Sequence, residues 1–176
     1  MHPCSTIQLD KLDLPERSAH LELHDLLGEE DRQTLQSSIT SARAQLAGPA
    51  VFDDLGAPRA RVAAGEYAPL LRRLCHAGIV TFVRQPLVVN GLFAVPKSGG
   101  DRQRLIIDAR WANHLFPEPP SPDLPSPTEL GRLHAGHDQL FVAAADVANF
   151  YHNLAVPREA WPLFCLPPCG VTRRTL

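Results

Sequence analysis

An α+β fold is what this sequence predicts, on three observations. Apolar residues recur at helical spacing in the first half of the chain. An apolar strand, a glycine turn and a second apolar strand follow one another around residue 100. Uncharged, β-capable runs return after residue 139. With 176 residues, 44% of them hydrophobic, the chain can bury roughly 70% of its extended-chain surface as one domain.

The elements follow in order. Residues 1–27 carry little pattern. From Glu29, Leu35, Ile39, Ala42 and Leu46 fall at helical spacing until Gly48-Pro49 supplies a stop, which predicts one amphipathic helix. Residues 49–65, rich in Ala, Gly, Pro and Asp, read as a connector. A second helix is predicted from about Tyr67 to His76, with Leu70, Leu71, Leu74 and Cys75 on one face and Gly78 placed for the C-terminal cap. Ile79-Val-Thr-Phe-Val83 has strand composition and leads through Pro86 to Leu87-Val-Val89 and Asn90-Gly91. Leu92–Val95 then pairs with Arg104–Asp108 as a hairpin, joined by the turn residues Ser98-Gly99-Gly100-Asp101 and rimmed by Lys97, Arg102 and Arg104. Six prolines between Phe116 and Pro127 force extended backbone. They suit a stiff connector better than a P-x-x-P ligand, although Pro119-Pro-Ser-Pro122 has that spacing. Ser126-Pro-Thr128-Glu129 marks a helix start. Leu140-Phe-Val-Ala-Ala-Ala-Asp146 reads as a buried strand, and Trp161–Leu166 as a further strand candidate.

Charge is distributed unevenly. Residues 1–66 hold 11 acids and 6 bases, residues 67–113 hold 2 acids and 7 bases, and residues 114–176 hold 6 acids and 4 bases. The positive stretch coincides with the hairpin, so a basic face sits on a chain of net charge −2. Lys97 is one of two lysines against 15 arginines. No apolar run reaches the roughly 18 residues of a membrane span, and the Met1 end lacks the pattern of a secretory signal. Four scattered cysteines (Cys4, Cys75, Cys165, Cys169) fit a reduced, intracellular chain of the nucleus or cytoplasm rather than a disulfide scaffold.

One carboxylate needs explaining. Asp146 closes an uncharged run and precedes Asn149-Phe-Tyr151. A charge at the end of a buried strand is costly unless it is paired or holds a metal. It can cap the turn that follows, or it can present oxygen to Mg²⁺ together with the Val147 carbonyl. Phosphoryl-transfer sites clamp reacting oxygens with two such ions, and one aspartate cannot fix both.

Asp146-Val-Ala-Asn-Phe-Tyr151 resembles the first palm motif of retroelement reverse transcriptases, an Asp followed five residues later by Phe or Tyr. The upstream block, an apolar strand, Lys97, a Gly-rich turn, then Arg104-Leu-Ile-Ile-Asp108-Ala-Arg110-Trp-Ala-Asn113, resembles the fingers hairpin of the same RNA-directed DNA polymerases. The resemblance covers roughly residues 67–166. It implies Asp146 as catalytic, metal-binding aspartate with the Val147 carbonyl, Mg²⁺ as cofactor, and Tyr151 as the aromatic that excludes a ribose 2′-OH. It implies Lys97 and Arg104 as grips on the incoming triphosphate, a point charge and a bidentate fork respectively. Asp108, Arg110 and Asn113 fall at structural or template-side positions. The implied partners are an RNA or DNA template-primer and a deoxynucleoside triphosphate; oligomeric state is not legible. Asn149 stands where many relatives have an acid.

The family's second metal motif, Tyr-x-Asp-Asp, belongs far downstream of the first and does not occur after Asp146; the single Asp-Asp of the chain, Asp53-Asp54, lies upstream of it. The expectation is therefore four parts: a helical extension and connector (1–65), a fingers-like region (66–116), a Pro-rich connector (117–127) and the start of an incomplete palm (128–176). The resemblance implies that such a chain is a fragment of a retrotransposon polymerase, expected to be inactive alone. The alternatives are a non-catalytic module that binds nucleic acid or protein through its basic hairpin, and a degenerate remnant. Cys165-x₃-Cys169 with His152 lacks the four closely spaced ligands of a zinc site, and His20-x₃-His24 reads as a solvated face.

Overall fold

The computed structural model describes residues 4–18, 20–47, 57–119, 121, 126–132, 141 and 143–169. Helix and strand are mixed: β1 (Leu21–Glu22), α1 (Leu23–Leu26), α2 (Glu29–Gln45), α3 (Tyr67–His76), β2 (Gly91–Pro96), β3 (Gln103–Asp108), α4 (Arg110–Asn113), α5 (Pro127–Leu130) and β4 (Leu154–Ala155), with 3₁₀ turns at Phe150–Asn153 and Arg158–Leu163. That is an α+β chain with small sheets. It divides into two compact units, Met1–Pro117 with Asn149–Leu176, and Glu118–Ala148.

In the first unit the two long helices form where the apolar spacing puts them. Three acids, Glu29, Glu30 and Asp31, occupy the first turn of α2, where the helix dipole favours negative charge. Ile39 and Ala42 are buried against Val88, Ala112, Leu115, Ala160 and Leu163. Leu70 and Leu74 of α3 enter a second cluster with Ile7, Leu12, Leu92 and Ala94. Gly78 ends α3 at φ 73, a left-handed conformation that a Cβ disfavours. There Gly78 N donates to Cys75 O at 3.0 Å and Ile79 N to Leu74 O at 2.9 Å, closing the last carbonyls.

β2 and β3 pair antiparallel, from Gly91↔Asp108 through Phe93↔Ile106 and Val95↔Arg104 to Pro96↔Gln103. Gly99 (φ 102) and Gly100 (φ 80) supply the positive-φ backbone of the tip. A two-stranded hairpin leaves backbone groups open on its outer edges. Here the sequence preceding it fills them: Ser5 bridges Ala94, Ala60 bridges Leu92 and Leu12 bridges Gln103, while Ile7 bridges Val62. The N-terminal residues are thus built into the hairpin unit, and the boundary read at residue 65 is crossed by these bridges. The first compact unit is interrupted after Pro117, where the Pro-rich stretch begins.

Several predicted strands are not strands. Ile79–Val83 is irregular, because Ile79 N and Val80 N both turn back to Leu74 O. Leu87 N and Val88 N bond to Pro162 O, leaving only a single bridge, Val89↔Cys165. The first half of Trp161–Leu166 falls in the 3₁₀ turn Arg158–Leu163, with Pro162 inside it, and Cys165 alone keeps a bridge, to Val89; proline cannot donate to a ladder. Leu154–Ala155 pairs parallel with Leu21–Glu22, a match across the chain that no local pattern announces.

In the second unit, the helix start at Ser126 is realised as a capping box. Glu129 N donates to Ser126 Oγ at 3.2 Å, and Ser126 N donates to Glu129 Oε2 at 2.6 Å. Of the strand expected over Leu140–Asp146, Leu140 and Val142 lie outside the described residues, and Phe141 and Ala143–Val147 have no regular structure and are exposed. Three consecutive alanines give such a run little apolar area to bury, and burial scales with that area.

Candidate functional site

The pleat sorts the hairpin into two faces. Cross-strand partners share a face and successive residues alternate. One face carries Leu92 and Ala94, both buried in the cluster around α3. The other carries Phe93 and Val95 on β2 with Arg104, Ile106 and Asp108 on β3. Arg104 is exposed and forms no ion pair among the described residues. Four residues along the strand separate it from Asp108, roughly 14 Å.

Asp108 and Arg110 meet fork to fork: Arg110 Nε donates to Asp108 Oδ1 and its NH2 to Oδ2, both at 2.7 Å. The Arg110 hydrogen bonds, followed by its charge and that of Arg61, hold the Asp108 carboxyl below the usual carboxylate range against the opposing effect of burial. Asn113 closes α4, is exposed, and donates its backbone N–H to Ala109 O at 2.8 Å.

Around this pair opens a cavity of about 500 Å³ whose lining includes Arg59, Arg61, Phe93, Asp108, Arg110 and Trp111 beside smaller apolar residues. Three arginines, one aspartate and two aromatic residues thus contribute to the lining, and of the arginines Arg110 and Arg61 act on the Asp108 carboxylate. Arg61 N donates to Leu92 O at 2.7 Å and Leu92 N to Arg59 O at 2.9 Å, so the segment bearing both arginines is fixed to β2. Among the described residues neither arginine forms an ion pair. Cations beside aromatic faces are the combination that tracks phosphates and stacks bases.

At the hairpin tip the arrangement differs. Lys97 N donates to Arg102 O at 2.8 Å across the turn, and both side chains converge on Asp13: Lys97 Nζ on Oδ2, and Arg102 NH1 on Oδ1 at 2.9 Å. The Lys97 hydrogen bond, more than the charges of Lys97 and Arg102, holds the Asp13 carboxyl below its ordinary range.

The residues singled out in the sequence are thus distributed. Lys97, Arg104, Asp108, Arg110 and Asn113 lie on or beside one hairpin. Tyr151 belongs to the same unit, 85% exposed, with its ring edge-on to Phe150 at 5.3 Å. Asn149 before it adopts φ 54. Asp146 and Val147 belong to the second unit, both exposed on irregular backbone. Among the described residues no three His, Cys, Asp or Glu side chains gather as a metal site, and no helix is long and apolar enough to cross a membrane. Asp53-Asp54 lies outside the described residues.

Sequence reasoning missed Asp13, Arg59, Arg61, Phe93 and Trp111. Arg59-Ala-Arg61-Val alternates with period two, which would have placed both arginines on one side of an extended segment. Asp13 carried no signal, since it acts on residues 84 and 89 positions away. Comparison with protein-family models finds no match to this chain, and comparisons with curated proteins and with solved structures find none either.

Proposed function

We propose that this chain carries the fingers hairpin and first palm motif of a retroelement-type reverse transcriptase, an RNA-directed DNA polymerase that takes RNA or DNA template-primer and deoxynucleoside triphosphates. The observation that carries the reading is the hairpin register. It sets Arg104 and Asp108 on one open face, Asp108 in a bidentate pair with Arg110, and a guanidinium-lined, aromatic-walled groove beside them. In this reading Lys97 and Arg104 grip triphosphate, the groove holds the template side with Asp108, Arg110 and Asn113 as its frame, and Tyr151 senses the sugar.

Asp146 and the Val147 carbonyl are hard oxygen donors of the kind Mg²⁺ takes. When bound, the metal would neutralise charge on the transferred phosphates. One carboxylate and one carbonyl are too few for two ions, so the 176-residue chain does not polymerise alone. The test is template-primed nucleotide incorporation with Mg²⁺. No incorporation is expected; incorporation abolished by Asp146→Ala would overturn the inactivity and establish the aspartate's role.

A second reading, a non-catalytic nucleic-acid-binding module, is favoured by one observation. Every charged group of the groove is positioned by residues of the first unit, without recourse to Asp146. The two readings part on Asp146→Ala: the binding module retains triphosphate and oligonucleotide affinity unchanged with Mg²⁺ present. A polymerase-derived site loses the Mg²⁺-dependent part of its triphosphate affinity.

A further inference from the structure

Asp13 offers one carboxylate oxygen to each of two cations on opposite sides of the hairpin turn, Oδ2 to Lys97 and Oδ1 to Arg102. A phosphate bridging the same two groups would do likewise, since both anions accept charge-assisted hydrogen bonds from lysine and arginine. Two cations share one carboxylate, and the remaining acid of the turn, Asp101, is exposed and joins no ion pair among the described residues. His152 also feels the Asp13 charge, although burial keeps its pKa below the ordinary imidazole value.

The backbone beneath Asp13 is pinned independently of its side chain. Asp13 N donates to Gln103 O at 2.9 Å and Gln103 N to Lys11 O at 2.7 Å. The Gln103 side chain accepts from Gln8 N at 2.8 Å and donates to Thr6 O at 3.0 Å. Rotating the carboxylate away therefore breaks two ion pairs and leaves the surrounding backbone hydrogen bonds in place.

We infer that Asp13 is a built-in competitor for the anion site at the hairpin tip: its carboxylate occupies the position between Lys97 and Arg102, and an oligophosphate must displace it to bind. This rests on the reading that the hairpin grips a triphosphate, and it adds a regulatory residue from the N-terminal segment that the resemblance does not supply. An incoming chain of phosphates brings several negative charges where Asp13 brings one, so displacement is favoured at low ionic strength and weakened by salt.

The experiment is calorimetric titration of the whole chain with inorganic triphosphate, comparing wild type with Asp13→Asn and using Asp13→Ser as a second variant should the amide lower the melting temperature. Asp13→Asn is expected to bind triphosphate about tenfold more tightly, the scale of one charge-assisted hydrogen bond that binding no longer has to break. Adding Lys97→Met should remove the gain. A variant at Asp13 that binds no more tightly than wild type, or a gain that survives Lys97→Met, overturns the inference. If Arg104→Ala weakens wild-type binding while Asp13→Asn changes nothing, the competitor role fails and the functional reading stands. If neither wild type nor Asp13→Asn binds triphosphate, both fail.

Discussion

The hairpin and the run around Asp146 have similar apolar strand composition, yet the hairpin is built as a sheet while the described residues of the run carry no regular structure. β2 and β3 are joined by a short turn, so each finds its partner within a few residues, and Leu92 and Ala94 bury one face against α3. Ala143–Val147 has no such neighbour among the described residues and remains exposed, Val147 at 62%. Strand propensity describes a side chain suited to a half-buried pleated surface. It becomes a strand only when the surface exists.

The largest test of this contrast is truncation on either side of it. Leu92→Ala removes a fully buried side chain from the second cluster and should cost about 2–5 kcal/mol, read as a large fall in the urea or thermal midpoint. Phe141→Ala removes a side chain that is 86% exposed and should stay within about 0.5 kcal/mol. Equal effects would mean that the Asp146 run is packed after all.

Legibility follows the same line. Both long helices, the Gly78 stop, the hairpin and the Ser126 helix start were readable, because each rests on residues within one turn or one strand of each other. The bridges of Ser5, Leu12 and Ala60 to the hairpin, the β1–β4 pairing and the Asp13 ion pairs were not. They join segments tens of residues apart whose own composition carries no pattern, and register between such segments is fixed by three-dimensional packing. Arg104, Asp108 and Arg110 were singled out only through the resemblance of their block to a fingers hairpin; the groove wall at Arg59 and Arg61 was not singled out at all, since it depends on which strand the connector meets.

Gly78 gives an intermediate effect. At φ 73, with His20 where a Cβ would point, Gly78→Ala should destabilise by about 1–2 kcal/mol, seen as a shifted melt, whereas Ala144→Gly in the exposed run should shift it far less. A neutral Gly78→Ala would show that α3 ends by another route.

The groove can be tested by binding. Arg59→Glu with Arg61→Glu reverses two charges that form no ion pair among the described residues. It should weaken single-stranded oligonucleotide binding and lower the slope of log K against log salt by about 0.7 for each phosphate that is no longer neutralised. Asp146→Ala, in the other unit, should leave that slope unchanged in the absence of divalent metal. A slope insensitive to the arginine pair would remove the groove from the interface.

The smallest effect separates the two regions by pH. The Asp108 carboxyl is lowered from its ordinary value of 3.8, first by the hydrogen bonds from Arg110. A carboxyl with a depressed folded pKa binds protons less readily in the folded chain than in the unfolded one. Its contribution to stability is therefore complete above the unfolded value and is lost as pH falls through the folded value. Arg110→Gln should lower the melting temperature slightly at about pH 6, and the gap to wild type should close as the solution is taken below pH 3.8. The gap stays small because the guanidinium is 63% exposed and solvent screens the pair. Asp146→Asn removes a carboxylate that forms no ion pair among the described residues and should leave the melting temperature at about pH 6 close to that of wild type. A gap for Arg110→Gln that widens on acidification would mean that the Asp108 pair is not what the arginine stabilises, and the frame of the groove would have to be sought in the other interactions of Trp111 and Arg61.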